Sequence, residues 1–294
     1  MSRVLVTGAN GLLGLSVCKL LVSEKYEVFG LVHREPAVKI PGVQYLLIDL
    51  ETDWPTAALP KQLDTIIHLA QSEHFREFPE MAMNVFQVNI ASTAKLLDYG
   101  RLVGIKRFVY ASSGGVYGYG NQAFHEDEGI AAPSLLGYYL GSKLSGEVLV
   151  HSYSKVFQVN VLRFFFVYGA RQKKSMLIPR LMDSILSHKP ISLQGQDGIR
   201  INPVHVEDAA LATRAALLSN CSALYNISGP EILTLRNIAN SMGQYLNIQP
   251  DFVIQGDDVA RDLIGDNSAM CQDLIVPTRK LYSHLDEVYN AIIS

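Results

Sequence analysis

Tyr139 and Lys143, in the run Tyr139-Leu140-Gly141-Ser142-Lys143, stand four residues apart. On a helix that spacing puts a phenol and an ammonium on one face, where both can reach a single cleft. Such a pair can exchange a proton with a carbon-bound oxygen. A tyrosine hydroxyl ordinarily titrates near ~10, and a neighbouring cation favours its phenolate. The spacing alone is weak, since about 0.6 occurrences are expected by chance from the tyrosine and lysine content. Its place in the chain adds force. Upstream, the strand-like run Arg107–Ala111 leads into Ser112 and Ser113, whose hydroxyls at a strand's carboxyl end can bind a carbonyl or alkoxide oxygen.

A second constellation lies at the start of the chain. The sequence Thr7-Gly8-Ala9-Asn10-Gly11-Leu12-Leu13-Gly14 follows the apolar run Arg3–Thr7 and opens a helix-like stretch. Glycine allows a tight turn and close approach of backbone N–H groups to a pyrophosphate. The helix N-terminus behind it adds partial positive charge. Gly8, Asn10, Gly11, Leu12, Leu13 and Gly14 are therefore the expected phosphate loop of a dinucleotide site. The end of the second strand selects the dinucleotide: an acid there favours NAD, a base NADP. Here it reads His33-Arg34-Glu35, and Arg34 tilts the reading toward NADP while Glu35 keeps NAD open.

These residues need a scaffold that brings strand ends together. Short runs rich in β-branched residues occur at Arg3–Thr7, Glu27–Val32, Gln44–Ile48, Thr65–Leu69, Arg107–Ala111 and Asn160–Phe166. They are almost wholly apolar, as strands buried on both faces must be. Helix-like stretches lie between them at Gly11–Ser23, Phe86–Val103 and Tyr139–Lys155. The alternation predicts an α/β fold, a doubly wound parallel Rossmann sheet with ligands at the carboxyl ends of its strands. From about Gly169 the rhythm changes: helices at Met176–Ser187, Glu207–Leu218 and Leu235–Leu246 surround a Gly/Pro-punctuated stretch and a short strand, Leu224–Ile227. The expected division is a dinucleotide-binding domain over 1–169, joined by a strand and helix from about 200–228, and a smaller interleaved substrate-binding lobe over 170–294.

Composition narrows the partners. The 294 residues are 48% apolar and 18% charged, with net charge −3, which offers no field for a nucleic-acid backbone or an acidic membrane surface. No run approaches the roughly 20 apolar residues of a bilayer span, and the N-terminal run is not read as a signal peptide. Cys18, Cys221 and Cys271 form no disulfide framework or metal knuckle, so a reducing, cytoplasmic setting is expected.

Taken in order, the motifs resemble the extended short-chain dehydrogenase/reductase family, in the NAD-dependent epimerase/dehydratase branch of nucleotide-sugar epimerases and 4-keto reductases. TGANGLLG is similar to that family's cofactor loop. Asp49-Leu50 resembles its adenine contact, IIHLAQ (with Leu69 and Ala70) the segment under the cofactor, and VNIASTAKLL its central helix with Asn89. ASSGGVYG, YYLGSKLSGE, LRFFFVYGARQ (with Val167) and NPVHVEDAA continue the series. The resemblance implies Ser113 as catalytic hydroxyl, Tyr139 as acid/base and Lys143 as the lysine on the cofactor ribose. It also implies a homodimer joined through the helices around Asn89–Val103 and Tyr139–Lys155.

The departures narrow the chemistry. Gly114-Gly115 replaces the Asp-Glu pair of the branch's dehydratases, which disfavours water elimination. Phe166 replaces a diphosphate-contacting Asn, and Ile201-Asn202-Pro203 replaces Arg-Asp-Phe, with Arg200 one step away. Ser112, Phe166, Arg171, Arg200 and Asn202 are the expected substrate contacts, with Lys173 another candidate for phosphate. No metal site is expected. The loop His125-Glu126-Asp127-Glu128 is read as a solvated acidic lid, and His68 as a packed core residue. The leading activity is an NAD(P)-dependent epimerase or 4-keto reductase of a sugar, nucleotide-linked. The alternatives are a reductase of a non-nucleotide carbonyl and a non-catalytic dinucleotide sensor, which the intact Ser113, Tyr139 and Lys143 speak against.

Overall fold

Strands covered on both faces have no solvent side for polar residues, and the continuous apolar runs accordingly form the middle of a parallel sheet. The structure, a computed structural model, describes residues 2–256 and 261–293. In chain order the strands and α-helices are β1 (Arg3–Thr7), α1 (Leu12–Ser23), β2 (Glu27–Val32), β3 (Val43–Leu47), β4 (Thr65–His68), α2 (Ala82–Phe86), α3 (Ser92–Val103), β5 (Arg107–Ser113), α4 (Pro133–Ser152), β6 (Gln158–Phe164), α5 (Leu177–Leu186), β7 (Ile191–Gln194), β8 (Arg200–Ile201), α6 (Val206–Ala216), β9 (Ala223–Ile227), β10 (Leu233–Thr234), α7 (Leu235–Leu246), β11 (Phe252–Gln255), α8 (Ser268–Asp273) and α9 (Leu285–Ile293). A π turn, Gln87–Ala91, joins α2 to α3.

Among the described residues the main sheet has seven strands in the order β3-β2-β1-β4-β5-β6-β9. β1 pairs in parallel with both β2 and β4, setting Thr7 beside Leu31 and His68. β4 pairs in parallel with β5, with His68 beside Tyr110. The direction of winding reverses between β1 and β4, so the loops leaving those strands diverge and open a crevice at their carboxyl ends. This is the doubly wound α/β sheet that the sequence predicts.

The chain divides into two units. One comprises Met1–Val116, Gly129–Arg163 and Ala210–Tyr225; the other comprises Tyr117–Glu128, Phe164–Ala209 and Asn226–Ser294. The first is built on Leu5, Ile66, Leu96, Leu97 and Phe108, all fully buried. Helix α4 packs closely on β5 because residue 146 is glycine: a Cβ there would lie 2.0 Å from Tyr110 Oη. In the second unit, α5 buries Ile178, Leu181, Met182 and Ile185, one stripe at helical spacing. That stripe packs with Ile238 and Met242 of α7 and Val288 of α9.

Several boundaries shift by a few residues from the sequence reading, three of them in β5, β6 and α4. β5 runs through Ser113 rather than stopping at Ala111. β6 ends at Phe164 rather than Phe166, because Phe166 has φ +45°, outside strand geometry. Helix α4 starts at Pro133, six residues early, but Gly137 at φ 63°, ψ 178° breaks it two residues before Tyr139. The acidic loop is also not simply solvated. Glu126 is half-buried, its carboxylate accepts the Asn226 N–H at 2.7 Å, and burial raises its pKa. No described helix is long and apolar enough to cross a membrane.

Candidate active site

The loop after β1 is shaped by its glycines. Gly8 has φ +65°, and a Cβ there would sit 3.0 Å from the Ala70 backbone. A Cβ on Gly14 would fall 2.1 Å from Gly8 O, so only glycine lets α1 start this close to the turn. The Gly11 N–H donates to Gly8 O at 2.9 Å, and Gly11 caps α1 with no side chain over the helix end. Among the described residues no side chain caps the first turn of the helix from Gly11, so its first N–H groups, at Leu12 and Leu13, are left for a ligand, while Asn10 flanks the turn half-buried. This cradle fits a pyrophosphate. Beyond β2, His33 and Arg34 are exposed, and an Arg34 guanidinium nitrogen lies 3.5 Å from Glu73 Oε1. Beyond β3, Asp49 is folded into a turn by accepting the Glu51 N–H at 2.9 Å, and Leu50 is buried.

Ser113, Tyr139 and Lys143 come from β5 and α4. Ser113 Oγ accepts the Gly115 N–H at 3.2 Å, which fixes the hydroxyl at the strand's end. Lys143 is buried, its Nζ donates to Ala111 O at 2.9 Å, and it lies 5.6 Å from the Tyr110 ring centroid. Burial lowers its pKa to about 8, with the Glu147 carboxylate opposing that shift. Tyr139 is half-buried, and its hydroxyl donates to Gln71 Oε1 at 3.1 Å. Burial raises the phenol to about 12, and the cation that opposes this is Arg76. The expectation that Lys143 lowers the pKa of Tyr139 is corrected here: the lysine reaches back to β5, and desolvation dominates the phenol.

Beneath these groups runs a buried polar network. The Ala70 N–H donates to Thr7 Oγ1 at 3.1 Å, and Thr7 Oγ1 lies 2.7 Å from His68 Nδ1. On the other side of the ring, His68 Nε2 lies 3.0 Å from Thr93 Oγ1, which itself donates to Asn89 O at 2.7 Å. Thr93 has spent its proton, so Nε2 carries the imidazole hydrogen and Nδ1 accepts from Thr7. His68 is neutral: burial, seconded by the Lys143 charge, lowers its pKa to about 3. Asn89 continues the network, its Oδ1 accepting the Ser72 N–H at 2.9 Å and its Nδ2 donating to Ser142 Oγ at 2.8 Å. Its side chain thus ties the segment after β4 to α4 inside the protein.

Several expected substrate contacts are placed elsewhere. Successive strand residues face opposite ways, so Ser112, unlike Ser113, points inward and donates to the Glu147 carboxylate. Glu147 is in turn held by Arg163 through Nε (3.0 Å) and a terminal nitrogen (2.7 Å), a buried pair that the sequence reading missed. Its signal was present: Tyr139, Lys143 and Glu147 repeat every four residues and share a helical face. In the second unit, Asn202 is buried and bonded to Ser228 and Gly265, so it holds loops together rather than a ligand. The Arg200 guanidinium is neutralised by Asp262, with Nε 2.8 Å from Oδ2. Arg171 and Lys173 are exposed, while Phe166 and Val167 are half-buried. A bulky residue at φ +45° is strained by roughly 1–3 kcal/mol. Among the described residues one trio, His205, His284 and Glu287, brings three ligand-type atoms within 4.8 Å. The Glu207 N–H donates to His205 Nδ1 at 3.3 Å, so Nε2 bears the proton given to Glu287 and has no lone pair to offer a metal.

Comparison with known proteins agrees with this architecture. A Bacillus subtilis (strain 168) protein named an uncharacterized UDP-glucose epimerase is 30% identical over 235 residues, 73% of this chain and 72% of its own. The UDP-glucuronate 4-epimerase of Thermodesulfobacterium geofontis is 26% identical over 78% of this chain and 76% of its own. The crystal structure of the Bacillus cereus UDP-glucuronic acid 4-epimerase, in complex with UDP-glucuronic acid and NAD, superimposes with a TM-score of 0.87 and 26% identity, covering 99% of each chain. The model of the NAD dependent epimerase/dehydratase family matches residues 4–228. With the family model matching residues 4–228 and the fold superimposing over the whole chain, the chain belongs to the NAD-dependent epimerase/dehydratase family.

Proposed function

We propose that the chain is a cytoplasmic enzyme that epimerises or reduces a nucleotide-linked sugar at a carbinol or carbonyl carbon. The observation that carries this reading is the placement of Ser113 at the end of β5 and of Tyr139 and Lys143 on α4, which packs on that strand, in the unit whose first strand ends in a glycine cradle. Gly8, Gly11, Gly14 and the N–H groups of Leu12 and Leu13 would hold the pyrophosphate of a nicotinamide dinucleotide, and Lys143 its ribose. When bound, that group supplies the hydride acceptor and donor. Tyr139 takes the proton from a substrate hydroxyl on oxidation and returns one on reduction, and Ser113 hydrogen-bonds the same oxygen. Water elimination is disfavoured, since Gly114 and Gly115 carry no carboxylate. A Cβ at Gly115 would also lie 2.8 Å from Leu140 Cδ2, beside Tyr139.

The relatives named above act on UDP-sugars by their names, which supports a UDP-sugar as first candidate. The Bacillus cereus enzyme holds NAD, whereas the exposed Arg34 after β2 favours NADP in this chain. Homodimerisation is the proposed assembly. It is supported by Leu102 on α3 and Val148 on α4, which expose 66% and 61% of their surface in the unit where those helices pack.

The test is turnover of UDP-, GDP- and dTDP-linked sugars by the wild type and by Tyr139→Phe. The variant is expected to bind dinucleotide normally and lose turnover, because only proton transfer is removed. Retained turnover overturns the assignment. Redox-neutral interconversion marks an epimerase, and stoichiometric consumption of reduced cofactor marks a reductase.

A further inference from the structure

The hydroxyl on which the proposed chemistry depends is already engaged by the protein. Tyr139 Oη donates to the side-chain carbonyl of Gln71 at 3.1 Å, and the Tyr139 ring rests on Phe75, with centroids 4.8 Å apart and planes tilted by 46°. Both partners lie in the segment that follows β4. That segment is tied down beside Gln71: Ser72 is buried, its N–H donates to Asn89 Oδ1 at 2.9 Å and its hydroxyl bonds Asn84. Asn89 donates to Ser142 Oγ, which donates to Tyr139 O at 2.7 Å, so the anchor of Gln71 and the backbone of Tyr139 share one buried network. Farther along, Phe78 stacks on Tyr138 with centroids 5.0 Å apart, fastening the segment to the residue next to Tyr139.

Gln71 is exposed, and a free glutamine at the surface bonds water as readily as a phenol. Here the Ser72 anchor and the Phe75 stack remove that freedom. An amide carbonyl accepts from a phenol and repels a phenolate oxygen, so this bond favours the protonated form. It also fixes the direction in which the O–H points.

We propose that Gln71 is a positioning residue for Tyr139 as the acid of the reductive direction: its carbonyl and the Phe75 ring hold the phenol protonated and oriented until a substrate carbonyl oxygen takes the amide carbonyl's place. The inference deepens the proposed function and rests on Tyr139 being the group that exchanges the proton. It also accounts for a polar residue directly after Leu69-Ala70, a position to which the sequence reading gave no role of its own.

The test follows the ionisation of Tyr139 itself and needs no substrate. The full chain is labelled with fluorotyrosine and titrated by fluorine NMR into the alkaline range, with Tyr139→Phe identifying the resonance. Gln71→Met keeps the volume but removes the carbonyl, and is expected to lower the Tyr139 midpoint by about half a pH unit or more. Gln71→Glu keeps an acceptor and adds a negative charge, and is expected to raise the midpoint by about one unit. A Gln71→Met midpoint equal to or above the wild type overturns the proposal. If Tyr139→Phe is inactive while Gln71→Met titrates like the wild type, only the role of Gln71 falls. If Tyr139→Phe still turns over nucleotide sugars, the functional reading falls and the titration judges Gln71 by itself.

Discussion

Acid should weaken this protein through His68 before it reaches the carboxylates that stabilise the fold. The ring is fully buried, its Nδ1 takes the Thr7 proton, its Nε2 proton goes to Thr93, and Lys143 is nearby. A second proton has nowhere to go without breaking the Thr7 bond. The folded state therefore holds the imidazole neutral down to a pKa of about 3, while the unfolded chain binds a proton near 6.5. A histidine with a depressed folded pKa leaves the unfolded state binding more protons, so stability falls as pH drops below 6.5 and the loss levels off near 3. Between pH 6.5 and about 5 the loss from this one group is about 1.6 kcal/mol. That is a sizeable part of a marginal total of roughly 5–15 kcal/mol. Asp64 and Asp266, whose pKa values are lowered, stay ionised in that interval and do not confuse the reading. His205 also has a lowered pKa and contributes in the same direction, so the comparison must be made against a variant. The assay is urea unfolding of the wild type and His68→Gln at both pH values. Gln cannot be protonated, so the wild type should lose about 1.6 kcal/mol more than the variant over the interval. Equal losses would refute the neutral, relay-bonded histidine.

Three further outcomes follow from close packing and buried charge. Gly146→Ala forces a methyl against Tyr110 Oη, only 2.0 Å from an ideal Cβ, and should lower stability by about 1–3 kcal/mol in thermal melts. A wild-type melting temperature would show that α4 can lift off β5 freely. Glu147→Gln removes the carboxylate charge from the buried pair with Arg163, a loss of about 3–5 kcal/mol, which adding Arg163→Met should largely restore. Failure of the double variant to recover would mean that the pair shapes the fold rather than balancing charge. Gly137→Ala places a side chain at φ 63°, ψ 178°, a conformation close to glycine-only, and should cost about 1–3 kcal/mol while shifting Tyr139. Full turnover and stability in this variant would show that the break before Tyr139 has no role.

The sequence by itself determined the layered α/β sheet and the cradle. Runs such as Val4-Leu5-Val6 and Phe108-Val109 are apolar at every position, which suits only strands covered on both faces, and glycine at 8, 11 and 14 marks where backbone must come within van der Waals reach. These are local properties, legible from residue type and spacing. Local spacing also put Tyr139 and Lys143 on one helical face and both Ser112 and Ser113 at a strand's end, and the family resemblance singled out Ser113 between the two. Tertiary structure alone decided what each polar group bonds. Ser112 and Ser113 are identical neighbours, yet strand alternation gives one to Glu147 and leaves the other at the site. Asn202 and Arg200 read as ligand contacts until Gly265 and Asp262, more than 60 residues away in sequence, take their hydrogen bonds. Gln71 is silent in the sequence because its partner, Tyr139, lies 68 residues on. Hydrogen-bond partners at such separations are fixed by which elements the packed core brings together, and no local pattern carries that information.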